Sequence, residues 1–295
     1  MTAPDLIIQS DTLTAAISPL GAELRRLTTR DDLDLQWNGD PEVWTGRAPI
    51  LFPVIGVLDG GVYRLDGQIY AMPKHGFARH STFAVVDAQP RSAVFRLSAS
   101  DQTRPLYPFE FQLDLEFALD GPKLAIAATV ANLGDAPMPA SFGFHPALRW
   151  PLPFDRPRAE HRIVFEKDEP APIRRIDADG LLTPQPHPTP VTGRTLALRD
   201  DLFVDDALIF DRLQSRRAVY GAESGPQLAV DFQDFAELGV WTKPGAGFIC
   251  IEPWAGMADP KGFAGDFRNK PGVFEVAPGA GRRLAMSITL LPDSA

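Results

Sequence analysis

The stretch Phe111-Gln112-Leu113-Asp114-Leu115-Glu116-Phe117-Ala118-Leu119-Asp120-Gly121-Pro122-Lys123-Leu124-Ala125-Ile126 decides the fold class. Phe111, Leu113, Leu115, Phe117 and Leu119 alternate with Gln112, Asp114 and Glu116, the period-two pattern of a strand with one buried face. Asp120-Gly121-Pro122 supplies a turn, and Leu124, Ile126 and Val130 continue on the far side, so the two runs read as a hairpin. Outward from this hairpin the same text recurs at Leu13, Ala15 and Ile17, at Leu228, Val230 and Phe232, at Phe248 to Ile251, and at Leu284, Met286, Ile288 and Leu290. Many strands separated by Gly, Pro and Asp turns predict a sandwich or barrel. The 29 prolines and 24 glycines punctuate the 295-residue chain too often for long helices. One short helical turn is expected at Asp40-Pro41-Glu42, where a cap residue precedes proline. Residues 151–190 are irregular and proline-rich, with a strand expected at Arg162 to Phe165; strand patterns continue on both sides, which predicts a surface excursion within one domain spanning 1–295.

A formal net charge of −9 disfavours contact with phosphate backbones, so no nucleic-acid partner is expected. The single cysteine, Cys250, excludes an internal disulfide and a zinc site built on several thiolates. No basic-then-apolar leader opens the chain and no run approaches about 18 apolar residues, so neither secretion nor a membrane span is expected, and the default compartment is the cytoplasm. Nothing in the sequence speaks to oligomeric state.

Three stretches do not read as ordinary strand or turn. They are Arg47 to Gly56 followed by Lys74-His75-Gly76-Phe77-Ala78-Arg79, then Phe142-Gly143-Phe144-His145-Pro146-Ala147-Leu148, and Phe248-Ile249-Cys250-Ile251-Glu252-Pro253-Trp254-Ala255-Gly256. Each sets a polar or charged residue among apolar ones, and a polar group in a buried strand needs a partner, a cavity or a task. In the third, Phe248, Cys250 and Glu252 share one face and Ile249 and Ile251 the other. Pro253 discourages further ladder pairing, which predicts Glu252 at the end of its strand. Singly, each residue has a bland explanation: a solvated histidine, a strand-end charge, surface arginines, a core tryptophan.

In combination, the stretches resemble the aldose 1-epimerase (galactose mutarotase) superfamily, and within it the bacterial branch of mutarotase-like proteins. The likeness runs from Gly21-Ala22-Glu23-Leu24 through the Arg47 and His75 stretches, Tyr107-Pro108-Phe109, Asn132, Gly143-Phe144-His145-Pro146, Asp206 and Glu252 to Phe274-Glu275-Val276. The resemblance implies a large antiparallel β-sandwich with few short helices and a sugar cleft on a concave face. It implies His145 as general acid, Glu252 as general base, and His75, Arg47 and Asp206 as sugar-binding groups, with Asp205 adjacent to the last. Arg79 and an aromatic wall from Trp254 or Phe77 are also expected at the cleft. The histidine motif of the galactose-specific members has a different context from Gly-Phe-His-Pro, so the resemblance does not name the sugar.

The implied reaction interconverts α and β anomers of a hexose. A base takes the proton of the C1 hydroxyl while an acid protonates the ring oxygen; the open aldehyde rotates and recloses. It requires no cofactor and no metal. With reference values near 4.3 for Glu and 6.5 for His, the carboxylate is expected ready to accept, and the imidazole, beside it, ready to donate. Three other functions fit the same residues. One is a hexose-phosphate epimerase with Arg79, Arg47 and Lys74 clamping an anion. Another is a glycoside hydrolase using Glu252 with Asp206. The third is a carbohydrate-binding protein without catalysis.

Overall fold

Two antiparallel sheets face each other across one core in the computed structural model, which describes residues 4–293. The hairpin at 111–126 forms as the alternation predicts. Phe111–Asp120 pairs with Lys123–Asn132 in unbroken register from Phe111↔Asn132 to Asp120↔Lys123. It lies near one end of a nine-stranded sheet ordered Thr195–Ala197, Arg162–Phe165, Arg217–Gly221, Gln227–Asp231, Gly281–Leu291, Lys123–Asn132, Phe111–Asp120, Ser92–Ser98, Ala84–Gln89. A six-stranded sheet carries Leu208–Phe210, Glu237–Trp241, Phe248–Ala255, Phe142–Phe144 and Ile50–Leu51, with Ala147–Arg149 also paired to Phe248–Ala255. Every pairing in both sheets is antiparallel. Leu113, Leu115, Val230 and Ile288 of the larger sheet and Leu238, Val240, Ile249 and Ile251 of the smaller belong to one buried apolar cluster, which is the filling of the sandwich. Among the described residues the helical turns are short 3-10 segments of three or four residues, and no helix is long and apolar enough to cross a membrane.

The Asp40 turn forms as expected: the Asp40 carboxylate accepts from Glu42 N at 2.9 Å and its carbonyl from Trp44 N at 2.8 Å, which directs Trp44 toward the smaller sheet. The proline-rich excursion contains the expected strand Arg162–Phe165 and then folds back on itself through the bridges Ile173↔His187 and Ile176↔Leu182. Arg175 in this fold-back donates to the carbonyls of Asp206 and Leu202, each at 2.8 Å, tying the excursion to the loop before Leu208–Phe210.

One expectation about the smaller sheet is corrected. Glu252 is not at a strand's end: Phe248–Ala255 runs straight through Pro253, with Pro253 opposite Leu238. The strand tolerates proline because its other neighbour is interrupted there. Phe142 and Gly143 pair with Ala255 and Trp254, Ala147 to Arg149 pair with Cys250 to Phe248, and His145-Pro146 lies in the gap between. The missing N–H of Pro253 therefore faces a place where no ladder bond is asked of it.

Candidate active site

The gap in the smaller sheet places the two residues expected to carry the chemistry. Register is the same on both sides of it. Counting on from Gly143↔Trp254 or back from Ala147↔Cys250, His145 falls opposite Glu252. Directly opposed side chains on one sheet face are neighbours, and His145 Nε2 lies 3.2 Å from Glu252 Oε2. Two structural hydrogen-bond sets steady the approach to this point. Tyr107 donates its hydroxyl to the Pro139 carbonyl at 2.8 Å, and Asn132 Nδ2 donates to the carbonyls of Ala136 and Val276 at 2.8 and 2.9 Å.

The pair lies at the floor of a cleft of about 210 Å³ on the outer face of the smaller sheet. Its lining includes Trp44, Lys74, His75, Arg79, Asp206, Trp241 and Trp254. An outer groove of about 740 Å³ continues from it along Lys74, Arg175, Asp205, Asp206, Trp241 and Lys243. Ile176 and Gly180 close one side, so the proline-rich excursion supplies a wall of the cleft.

Burial sets the protonation of the pair. Both residues are almost fully enclosed, His145 with Trp44 at 5.2 Å and Trp241 and His75 at 5.9 Å between ring centroids. Desolvation drives His145 down to about 3. Desolvation, reinforced by the negative charge of Asp206, holds Glu252 well above the ordinary carboxylate range. Enclosure thus favours the uncharged form of each group, where the sequence leads to the expectation of a charged imidazole beside an ionised carboxylate. His145 Nε2 and Glu252 Oε2 approach to 3.2 Å, so the two groups titrate as a pair.

His75 is aimed by backbone geometry. It and Gly76 both adopt left-handed conformations, φ 65° and 74°, and a side chain at Gly76 would collide with the Phe52 carbonyl. His75 N donates to the Gly56 carbonyl at 2.9 Å and Nδ1 accepts from Gly56 N at 3.0 Å. That acceptor role assigns the ring proton to Nε2, and burial pushes the group well below 6.5, so His75 is a neutral donor. Asp206 is also left-handed, φ 63°, and one carboxylate oxygen caps Ala207 N at 2.7 Å. Such conformations cost of order 1–3 kcal/mol in a non-glycine residue and gather where function requires a particular aim. Asp206 lines both cleft and groove, whereas Asp205 lines only the groove.

Trp254 lies along the same face as Glu252, two residues on. Gly143 and Gly239 on the flanking strands leave room for it; a Cβ on Gly143 would come within 2.7 Å of the indole, and one on Gly239 would overlap it. Its buried indole N–H meets no acceptor in strict hydrogen-bond geometry, yet it lies close enough to the Glu252 carboxyl to favour the charged form of that group. Arg79 faces the cleft, and burial lowers its pKa. Neither Arg79 nor Lys74 forms an ion pair among the described residues.

Two expected residues are not in the cleft. Arg47 turns away, its Nη1 donating to the Arg25 carbonyl at 2.9 Å and its main-chain N to Glu23 at 2.9 Å. It buttresses the strand Glu23–Thr29 and does not reach the lining. Phe77 packs in the core against Phe52 and Phe111, at centroid distances of 6.0 and 5.7 Å. Conversely, Trp44 and Trp241 line the cleft and were missed; three of the chain's five tryptophans meet there, a composition signal that points to a site only when the strands are assembled. Beneath the pair, the donor atoms of His145, Cys250 and Glu252 all lie within 4.8 Å of one another.

The family model described as aldose 1-epimerase matches residues 5–272. The chain is 31% identical over 294 residues to the chromosomal protein LacX of Lactococcus lactis subsp. lactis, covering 96% of this chain and 98% of that one. A galactose mutarotase related enzyme from Lactobacillus acidophilus superposes with a TM-score of 0.89 at 29% identity, over 97% of both chains. A galactose mutarotase-like protein from Lactobacillus casei ATCC 334 superposes with a TM-score of 0.90, also at 29% identity, over 97% of this chain and 100% of that one.

Proposed function

Since the chain belongs to the aldose 1-epimerase family, we propose that it interconverts the α and β anomers of a hexose, with His145 and Glu252 exchanging the protons. The observation that carries this is the 3.2 Å approach of His145 Nε2 to Glu252 Oε2 at the floor of a cleft lined by aromatic and hydroxyl-binding groups. With a pyranose bound, Glu252 takes the C1 hydroxyl proton, the C1–O5 bond opens as C1=O forms, and His145 Nε2–H protonates O5. Rotation about C1–C2 and the reverse transfers give the other anomer.

The proton count fits. The neutral pair, Glu252 protonated and His145 neutral, holds the same single proton as the working form, Glu252 ionised and His145 charged. Sugar hydroxyls that hydrogen-bond the carboxylate favour the second arrangement without any proton entering from solvent. In this reading His75 Nε2–H and Asp206 hold hydroxyls, Arg79 reaches an oxygen, and Trp254 packs on a C–H face of the ring. The test is polarimetry of freshly dissolved α-glucose and α-galactose. Acceleration over buffer is expected for at least one; none with either, or with other hexoses, would end the proposal.

A phosphorylated hexose is a second substrate class with support of its own. Lys74 and Arg79 line the cleft without a carboxylate partner among the described residues, and unpaired cations there suit an anionic group. Arg47 drops out of that clamp. Phosphorylated and free hexoses compared in one assay decide between the two by kcat/KM.

A further inference from the structure

We propose that His145, Cys250 and Glu252 form a buried inhibitory site for a soft divalent cation, zinc foremost. Their donor atoms lie within 4.8 Å of one another, and all three residues are buried. The fold converges them for a simple reason: Cys250 and Glu252 are two apart on one strand and share a face, while His145 stands opposite Glu252 across the gap. Ala147, opposite Cys250, puts no bulk between them.

The spacing suits zinc. Ligand bonds of about 2.0–2.1 Å to N and O in a tetrahedron set those two atoms about 3.3 Å apart; His145 Nε2 and Glu252 Oε2 are 3.2 Å apart already. A zinc–sulfur bond of about 2.3 Å asks for a sulfur about 3.6 Å from each, so the thiol closes from no more than 4.8 Å by a small side-chain rotation. Charge favours the cation as well. A thiolate, a carboxylate and a neutral imidazole cancel two positive charges, so three groups whose separate ionisation burial resists become one neutral unit. On binding, the thiol proton and the pair's shared proton leave to solvent as one dication enters. Magnesium and calcium, which require mostly oxygen ligands and higher coordination, do not fit.

Occupancy takes both proton-transfer groups, so zinc abolishes turnover. The inhibitory half of the inference rests on the proposed epimerase activity; the binding half does not. The test titrates zinc and cobalt(II) into the full-length chelator-stripped protein. One equivalent is expected to bind, with cobalt showing thiolate-to-metal charge-transfer absorption. Cys250→Ala should lose that absorption and bind zinc at least tenfold more weakly, while keeping its activity and resisting zinc that silences the wild type. Cys250→Ser, closer in shape, carries the same measurement if the alanine variant does not fold. Absence of zinc binding at tenfold excess, or equal binding by the cysteine variants, overturns the inference. A thiolate signature in a protein without epimerase activity upholds the metal site and rejects only the enzymatic proposal.

Discussion

Gly239 stands opposite Glu252, and the space its missing side chain leaves is filled by the indole of Trp254. The glycine thus sets the aromatic wall of the cleft from a position two strands away from the imidazole. Gly239→Ala forces the indole to move or the strands to part. Overpacking of this kind destabilises by about 1–3 kcal/mol, and displacement of a substrate-facing ring should lower kcat/KM by roughly tenfold or more. Thermal melts and anomer-exchange kinetics on the variant check both. Unchanged kinetics with a lowered melting temperature would remove Trp254 from the sugar-binding wall.

His145→Ala and Glu252→Gln should each lower kcat by roughly a hundredfold or more, the usual worth of positioned proton transfer. The stability of the glutamine variant carries separate information. Burial raises the Glu252 pKa, so its contribution to stability is fully present below the unfolded-state value and is lost as pH rises toward the folded one. Glutamine removes that loss. Relative to wild type, Glu252→Gln should therefore gain stability from pH 5 to pH 8, read from denaturant midpoints; a parallel pH course would count against the enclosed, proton-holding carboxyl.

Glu237 offers the same test away from the chemistry. It is buried at the start of Glu237–Trp241, accepting from Gly256 N, and desolvation raises it to about 7 from 4.5. Its stabilising contribution is complete below pH 4.5 and is lost as pH rises through about 7, amounting to at most about 3 kcal/mol. Glu237→Gln should flatten the wild-type stability profile between pH 5 and pH 8 while leaving anomer exchange within about twofold.

Arg79 and Arg47 should separate cleanly. Arg79→Ala removes a cation from the cleft and should raise KM at least tenfold with little change in melting temperature. Arg47→Ala leaves KM unaltered but abandons the Arg25 carbonyl, a loss of about 1 kcal/mol. A raised KM in the Arg47 variant would return that residue to the substrate.

The sandwich was legible because alternation at 111–119, 228–232 and 284–290 reports one buried face directly, and that rule holds wherever a strand borders a core. The shared face of Cys250 and Glu252 was legible for the same reason. The continuation through Pro253 was not: it depends on an interruption in a neighbouring strand more than a hundred residues away in the chain, and no local pattern records it. Arg47 misled because its stretch is unusual for a structural cause, the hydrogen bonds to Glu23 and Arg25, and sequence does not say which way a long side chain turns. Trp44 and Trp241 sit in unremarkable text, and only the folded turn at Asp40 and the pairing Trp241↔Cys250 bring them beside the imidazole.

The two-residue interval between Phe144 and Ala147 behaves as a ruler. One residue added or removed there would either turn the imidazole toward the apolar filling or invert the facing of Ala147–Arg149, because neighbouring positions along extended chain point oppositely. The fold-back between Ile176 and Leu182, outside both sheets, obeys no such constraint. Drift in the length of that outer wall is compatible with unaltered proton exchange, so diversification of sugar choice has a route through the excursion that leaves the ruler intact.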